Sequence, residues 1–129
     1  MFKFFLILIF ITLISCNKEN KKIMNYNQKI IVEFQHFEAC PNGPKLLKNL
    51  KEAIKGIEDK VDINEVLINT PELAKKHNFR GSPTILVDGS DLLNMPIPKE
   101  PSLSCRLYPN GLPSLEFIRE YLNSKINDR

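Results

Sequence analysis

Cys40-Pro41-Asn42-Gly43-Pro44 lies where an apolar run ends and a helical pattern begins. The run, residues 30–34, is Ile-Ile-Val-Glu-Phe, and such a continuous β-branched stretch is typical of a strand buried on both faces. After the segment, apolar residues recur at helical spacing with lysines between them, which predicts an amphipathic helix. The apolar positions are Leu46, Leu47, Leu50, Ala53, Ile54 and Ile57. Cys40 is thus predicted to lie between a buried strand and a helix N-terminus, where unpaired N–H groups and the helix dipole stabilise a thiolate.

The chain begins with a short hydrophobic segment. Lys3 precedes a largely apolar run over residues 4–13, which has the length of a signal-peptide core and is short for a membrane span. The run leads into Leu13-Ile14-Ser15-Cys16, which resembles the bacterial lipoprotein signal, in which a small residue precedes a lipidated cysteine. The resemblance implies that residues 1–15 are removed and that Cys16 carries acyl chains that hold the protein on a bacterial membrane, on its periplasmic or extracytoplasmic side. The alternative is an ordinary signal anchor in which Cys16 has no special role.

Composition predicts one folded domain after this segment. Residues 16–28 are mostly polar and predict a flexible tether of about 20 Å between the membrane and the domain. The domain is expected over residues 29–124, followed by a frayed tail at 125–129. A chain of 129 residues has room for little more. Its net charge of +3 comes from interspersed acidic and basic residues, which argues against nucleic-acid binding, and we expect a monomer without a cofactor.

The remaining elements predict an α/β fold. In order they are a strand at 61–68, a short helix opened by Thr70-Pro71 and ending by Asn78, a strand at 84–87, a hairpin turn at Asp88-Gly89, a proline-rich irregular segment at 92–101, a fourth strand at 103–108 and a closing helix at 113–122. The order β-α-β-α-β-β-α predicts a four-stranded mixed sheet flanked by three helices. Right-handed crossovers are expected between the first three strands, with the third strand between the first and the fourth.

A second segment makes the fold more specific. Phe79-Arg80-Gly81-Ser82-Pro83-Thr84 is similar to the segment of the thioredoxin superfamily that ends in a cis-proline followed by threonine and an apolar strand. Together with Cys40 at the mouth of the first helix, it makes residues 29–122 resemble a thioredoxin-like domain. The resemblance implies that the Ser82–Pro83 bond is cis and that both residues line a substrate groove opposite Cys40. It also implies thiol–disulfide exchange with a protein or small-molecule substrate.

The first motif departs from that family. A thioredoxin has a second cysteine three residues after the first, but here that position is Gly43. Cys40 therefore cannot form the usual Cys-x-x-Cys disulfide. Pro41 suits the first helical position and Gly43 lets a bulky partner approach the backbone, so both are assigned to the groove. Cys-Pro-Asn-Gly and the later Ser-Leu-Ser-Cys-Arg-Leu-Tyr at residues 102–108 also resemble a bacterial group of thioredoxin-like proteins, some of which are named alongside alkylmercury lyase.

Cys105 is the candidate resolving thiol. The chain has three cysteines, so a lipid on Cys16 leaves Cys40 and Cys105, and an exported location permits a disulfide between them. A regular position in a fourth strand would place Cys105 about 10 Å from the first strand. A disulfide needs Cα atoms within about 7 Å. The proline-rich segment can nevertheless bring Cys105 round to the loop that carries Cys40. A resolving thiol, a buried free cysteine and a structural disulfide all stay open for Cys105.

Other chemically active side chains are given structural roles. His36 is expected to be partly buried and bonded to the backbone, and His77 to lie at the C-terminus of the second helix, where the negative pole suits it. Arg106 is expected at the surface. His36, Cys40 and Cys105 show no short-range ligand spacing, so we predict no metal site.

Three functions are compatible with these residues. The first is a membrane-tethered thiol–disulfide oxidoreductase in which Cys40 attacks disulfides and Cys105 resolves. The second is a module that binds a soft metal or an organomercurial through the same two thiolates. The third is a lipoprotein that keeps the fold without activity, for which Gly43 in place of a cysteine is the main argument. In each case the protein is expected in the bacterial cell envelope.

Overall fold

The computed structural model of the protein describes residues 28–129. The expected signal peptide at 1–15, the lipid-bearing Cys16 and most of the tether lie outside the described residues. Between residues 28 and 129, no helix combines the length and the apolar character that a membrane crossing requires.

Within the described part of the chain, four strands form one mixed sheet in the order β2-β1-β3-β4. The strands are β1 Ile30–His36, β2 Val61–Leu67, β3 Thr84–Val87 and β4 Ser90–Asp91. β1 and β2 are parallel, whereas β3 is antiparallel to β1, with Val32 opposite Val87. The expected α/β class, with three helices beside a mixed sheet and β3 between β1 and β4, is confirmed.

The direction of β3 differs from the prediction. Crossovers are expected to join the first three strands, but parallel pairing is confined to β1 and β2 in the described sheet. The helix between β2 and β3, α2, spans Pro71–Lys76 and has six residues. It is therefore about 9 Å long, less than half of the roughly 23 Å of β2. The chain consequently stays near the end of the sheet where β2 finishes, and β3 enters the sheet from that end.

The fourth strand also differs from the prediction. It follows the tight turn at Asp88-Gly89, where φ is positive at both residues, 48° and 82°, as mirror-image hairpin turns require. Because Ser90–Asp91 takes the position beside β3, the expected strand at 103–108 has no edge there to join, and that prediction is wrong. The segment is irregular apart from one bridge that pairs Cys105 with Ser82.

The helices are α1 Asn42–Ala53, α2 Pro71–Lys76 and α3 Leu115–Asn127, and a 3-10 turn covers Glu58–Lys60. Side chains cap α2 and α3, whereas α1 begins one residue after Pro41, which the sequence predicts at the first helical position. Thr70 Oγ1 accepts a hydrogen bond from the Leu73 N–H at 3.2 Å, which caps α2 as predicted. Ser114 Oγ accepts one from the Phe117 N–H at 3.2 Å, which caps α3.

The C-terminal end is more ordered than expected. The helix α3 continues to Asn127 instead of ending at residue 122, so the expected frayed tail at 125–129 is largely helical. Ile126 packs against the core and extends the apolar face of the helix. The Arg129 guanidinium donates hydrogen bonds to the Gln28 carbonyl oxygen at 2.7 Å and to the Lys29 carbonyl oxygen at 3.1 Å.

The core fixes the strand and the helix on either side of Cys40. Alternate residues of β1 pack against α1 and α3 in the main cluster, which includes Ile30, Val32, Phe34, Leu46, Leu50, Ile118 and Leu122. A smaller cluster of Ile68, Ala74 and Phe79 lies under α2. Because α2 is short, it covers the second face of β1 only in part, and Ile31 is 41 % exposed although the sequence predicts burial on both faces.

Candidate functional site

Cys40 lies in the loop between β1 and α1, two residues before the helix begins. Its backbone N–H donates to the Phe37 carbonyl oxygen at 3.2 Å, and its carbonyl oxygen accepts from the Gly43 N–H at 3.2 Å. The residue is 1 % exposed. When protonated, its thiol donates to the Ser82 carbonyl oxygen at 3.3 Å. The loop therefore holds the sulfur against the Ser82 backbone.

The surroundings of Cys40 favour its ionised form. Burial acts to raise the pKa of the Cys40 thiol, but hydrogen bonds from the Asn42 backbone, the Ser82 side chain, the Cys105 thiol and the Gly43 backbone together outweigh it. The pKa of Cys40 is consequently below its ordinary value. The helix N–H groups expected from the sequence contribute two of these hydrogen bonds, and the neighbouring loops contribute the others.

Cys105 lies directly against Cys40. The two Sγ atoms are 3.4 Å apart, with the Cys105 thiol donating, and both cysteines are free. The hydrogen bond that Cys105 donates to Cys40 raises the pKa of Cys105, and burial and the Cys40 charge act in the same direction. Cys40 is exposed far less than Cys105, which lies at the surface. The two sulfurs are therefore hydrogen-bonded, Cys40 is the one of the pair that loses its proton more readily, and both lie within reach of a disulfide.

Ser82 positions the segment that carries Cys105. The Ser82 N–H donates to the Ser104 carbonyl oxygen, and the Ser82 carbonyl oxygen accepts from the Arg106 N–H, both at 2.8 Å. Residues 104–106 thus run alongside Ser82 as a single parallel bridge. This is how Cys105 reaches Cys40, because a bridge beside Ser82 lies at the end of the sheet rather than two strands away from β1.

The peptide bond between Ser82 and Pro83 is cis, as the sequence predicts. The Pro83 carbonyl oxygen accepts a hydrogen bond from the Tyr108 hydroxyl. Burial raises the pKa of Tyr108 to about 12, so the hydroxyl keeps the proton that it donates. In addition to the Ser82 bridge, the Tyr108 hydrogen bond therefore connects the cis-proline loop to the segment that carries Cys105.

Gly81 makes this close pairing sterically feasible. Its φ is +96°, and a Cβ built there would lie 3.0 Å from both the Cα and the backbone N of Arg106. A side chain at position 81 would therefore be strained and would push the Cys105 segment away.

Arg106 is buried, and the prediction that it lies at the surface is wrong. Its Nη1 donates to Asp91 Oδ2 at 2.6 Å and to Thr84 Oγ1 at 3.3 Å, and its Nη2 donates to Asp91 Oδ1 at 3.0 Å. A buried arginine needs such a partner because an unpaired charge is costly away from water. Sequence reasoning missed Asp91 because the partners are 15 residues apart and no local spacing links them.

The histidines pair with glutamates of the sheet. His36 Nε2 lies 2.9 Å from Glu65 Oε1, and His77 Nδ1 lies 3.6 Å from Glu33 Oε1. The expected backbone partner of His36 is thus replaced by a carboxylate. His77 caps the C-terminus of α2, as predicted. Among residues 28–129, no group of three or more His, Cys, Asp or Glu side chains is placed to hold a metal ion.

The residues assigned to the substrate groove differ in exposure. Pro41 is exposed, whereas Gly43, Ser82 and Pro83 are buried. A cavity of about 250 Å³ lies beside Cys105. Its lining includes Arg80, Met95, Pro98, Glu100, Ser102 and Leu107. The sequence did not indicate this cavity, since most of its walls come from the irregular segment between β4 and α3.

Comparison with known proteins supports the fold. No family model matches the chain, and no curated protein matches it. Among solved structures, the chain is similar to the crystal structure of chloroplastic thioredoxin z, with a TM-score of 0.54 and 16 % sequence identity, covering 79 % of this chain and 81 % of that one. The fold is thioredoxin-like. In this thioredoxin-like domain the second sulfur beside the helix comes from residue 105 rather than from the residue three places after Cys40.

Proposed function

We propose that the protein is a membrane-tethered thiol–disulfide redox protein in which Cys40 and Cys105 cycle between a dithiol and a disulfide. The observation that carries this proposal is the 3.4 Å distance between the two Sγ atoms. A bonded pair of sulfurs is about 2.05 Å apart, so closing the bond needs a displacement of little more than 1 Å.

The ionisation of the pair suits this chemistry. The thiolate is the reactive form of cysteine, and the hydrogen bonds around Cys40 hold its pKa below the ordinary value. Cys105 supplies the second thiol that Gly43 does not.

The membrane tether forms part of the same proposal. The lipoprotein-like segment ending at Cys16 would place the domain on a bacterial membrane, outside the cytoplasm, where disulfides persist. Radiolabelled fatty acid should be incorporated into the full-length protein expressed in bacteria and lost in Cys16→Ser. Equal labelling of both proteins would overturn the anchor at Cys16.

The redox proposal is tested by oxidising the protein with oxidised glutathione and measuring the intact mass after alkylation. We expect wild type to lose a pair of hydrogens and to resist alkylation at Cys40 and Cys105. Cys105→Ser should form a mixed disulfide with glutathione at most. Wild type that remains alkylatable at both cysteines would overturn the redox pair and leave a non-catalytic thioredoxin-like domain.

The adjacent sulfurs also suit a second candidate, a binding site for a soft metal ion or an organomercurial. Thiolate sulfur is the ligand that soft metals prefer, and the exposed Cys105 gives an entry route to the pair. Titration with mercuric ion should show tighter binding to wild type than to Cys105→Ser. Equal affinity for both proteins would remove this candidate.

A further inference from the structure

We propose that Cys105, not Cys40, is the sulfur that exchanges with an outside substrate, and that this substrate is a low-molecular-weight thiol. Cys40 then serves as the internal sulfur that opens and closes the disulfide. The inference rests on the redox pair proposed above and reverses the order of roles expected from the sequence.

Accessibility is the first argument. Cys40 is 1 % exposed, and its sulfur faces the Ser82 carbonyl oxygen on one side and Cys105 on the other. Cys105 is exposed. In thiol–disulfide exchange the rate depends on which sulfur an attacking thiolate can reach. A thiolate from solvent reaches Cys105 directly and would have to displace packed residues to reach Cys40.

The leaving group is the second argument. Attack on Cys105 expels Cys40, and exchange is faster when the expelled sulfur is the more stable thiolate. The Asn42 and Gly43 N–H groups at the helix start stabilise a thiolate at Cys40. No comparable set of backbone donors acts on Cys105 among the described residues. Access and leaving-group stability therefore favour the same direction of attack.

The third argument concerns the size of the substrate. The Ser82 N–H and carbonyl oxygen are already paired with Ser104 and Arg106. An extended polypeptide therefore cannot pair with the backbone beside the cis bond. The space beside Cys105 that can receive a substrate is a cavity of about 250 Å³. Small-molecule pockets in proteins measure roughly 300–1,000 Å³, so this cavity lies just below that range and suits a small ligand rather than a polypeptide segment.

The cavity walls have mixed chemistry. Arg80 and Glu100 bring opposite charges, and Met95, Pro98 and Leu107 bring apolar surface. The Arg80 Nε donates to the Met95 carbonyl oxygen at 2.8 Å, which fixes the guanidinium on one wall. A small thiol that carries both an amino and a carboxyl group would find a partner for each charge.

The exchange balances in two steps. A substrate thiolate attacks Cys105 Sγ in the oxidised protein, the Cys40–Cys105 bond breaks, a substrate–Cys105 disulfide forms, and the electron pair goes to Cys40 as a thiolate. A second substrate thiolate attacks the substrate sulfur of that mixed disulfide and expels Cys105, which takes a proton from water. Two substrate thiols are oxidised to a disulfide, and the protein disulfide is reduced to a dithiol. An external disulfide returns the protein to its oxidised form by the reverse steps.

The decisive experiment locates the mixed disulfide in wild-type protein. Full-length protein in detergent is oxidised, and closure of the Cys40–Cys105 disulfide is checked by intact mass, so a failure of the redox proposal is seen first. The oxidised protein is then mixed with excess reduced glutathione, and the reaction is quenched rapidly with acid and an alkylating agent. Peptide mapping should find glutathione on Cys105 and the alkyl group on Cys40. Glutathione on Cys40 with alkylated Cys105 would overturn the assignment.

Matched single-cysteine variants give a second readout. Oxidised glutathione should modify Cys105 in Cys40→Ser about tenfold faster than it modifies Cys40 in Cys105→Ser, because exposure limits the second reaction. Modification of Cys40 at an equal or greater rate would contradict the proposal.

The size of the substrate is tested separately. Reduced glutathione should reduce the wild-type disulfide about tenfold faster than an unfolded protein dithiol at equal thiol concentration. Equal or faster reduction by the protein dithiol would overturn the assignment of a small thiol.

Discussion

The Arg106 guanidinium and the Asp91 carboxylate form a buried two-point ion pair one residue away from Cys105. Their side chains are 4 % and 1 % exposed, and the two hydrogen bonds measure 2.6 and 3.0 Å. The Leu93 and Met95 N–H groups donate to Asp91 Oδ1 at 2.9 Å each. Asp91 therefore joins the start of the proline-rich segment to the backbone that presents the exposed sulfur.

Removal of the Asp91 charge should strongly destabilise the domain. We expect Asp91→Asn to lower the free energy of unfolding by about 3–5 kcal/mol, because it leaves the Arg106 charge buried without a counter-ion. Urea denaturation measures this loss. Asp62→Asn is the control, since Asp62 pairs with Lys29 at 3.1 Å on the surface and such pairs contribute about 0–1 kcal/mol. Equal losses of unfolding free energy in the two variants would show that the buried Arg106–Asp91 pair stabilises the domain no more than the surface pair does.

The same ion pair should make stability depend on pH. Burial acts to raise the pKa of Asp91, but hydrogen bonds from Arg106, Met95 and Leu93 outweigh it and hold that pKa below its usual value. The folded protein then binds fewer protons at Asp91 than the unfolded chain does. The stabilisation is present above the unfolded pKa of about 3.9 and is lost as pH falls through the folded pKa.

Urea denaturation at a series of pH values checks this dependence. The free energy of unfolding should fall as the solution is made acidic, and the fall below about pH 5 should be shallower in Asp91→Asn, which has no carboxyl to protonate at that site. Equally steep falls in both proteins would contradict a depressed pKa at Asp91.

The Cys40 thiol should titrate below an ordinary cysteine. We expect the first thiol to ionise below about pH 8.5, and the ultraviolet absorbance of the thiolate measures this transition. Ser82→Ala should move that transition upward, because the Ser82 side chain is one of the hydrogen-bond donors to Cys40. Ser124→Ala is the control, since the Ser124 hydroxyl donates a hydrogen bond to the Tyr121 carbonyl oxygen within α3 and does not act on Cys40. A transition at or above about pH 8.5 in wild type would remove the argument for an activated thiol.

Gly81→Ala should separate the two sulfurs. The added Cβ would meet the Arg106 backbone at 3.0 Å, so the Cys105 segment must shift and disulfide closure should slow by about tenfold or more. Gly89→Ala is the control, because Gly89 also has a positive φ, +82°, but nothing lies within 4 Å of its Cβ position. The control should cost about 1–2 kcal/mol of stability and leave closure unchanged. Equal closure rates in the two variants would contradict the role of Gly81.

Local signals explain what the sequence predicted. The order of strands and helices follows from hydrophobic spacing and from caps such as Thr70. The cis bond at Ser82–Pro83 follows from a motif. Each of these depends on neighbours within a few residues, which a sequence displays directly.

The parts that sequence reasoning missed depend on distant partners. Cys105 is predicted as a candidate partner of Cys40, but the sequence leaves its role open, because hydrogen bonds to the Ser82 backbone set the path of its irregular segment and no periodicity marks that path. Arg106 has the appearance of a surface residue because its counter-ion is 15 residues earlier. The direction of β3 depends on how short α2 is relative to β2, a comparison of two separate elements that no local pattern displays.

Gly43→Cys tests whether this domain keeps the geometry of a Cys-x-x-Cys site. A Cβ at position 43 would lie 3.6 Å from His36 Nδ1, an ordinary van der Waals contact, so the backbone there accepts a Cβ without a clash. In Gly43→Cys/Cys105→Ser, the second thiol lies three residues after Cys40, within the first turn of α1. We expect oxidation of this double variant to remove a pair of hydrogens, measured by intact mass.

Cys105→Ser alone is the matched control, because Cys40 then has no partner in the domain and should gain only a mixed disulfide. If the double variant behaves like this control, position 43 does not face the Cys40 sulfur, and the likeness to thioredoxin does not extend to the active-site turn. If the disulfide forms, the turn is intact. The domain then takes its second sulfur from residue 105 rather than from position 43, while the turn that ionises Cys40 is kept.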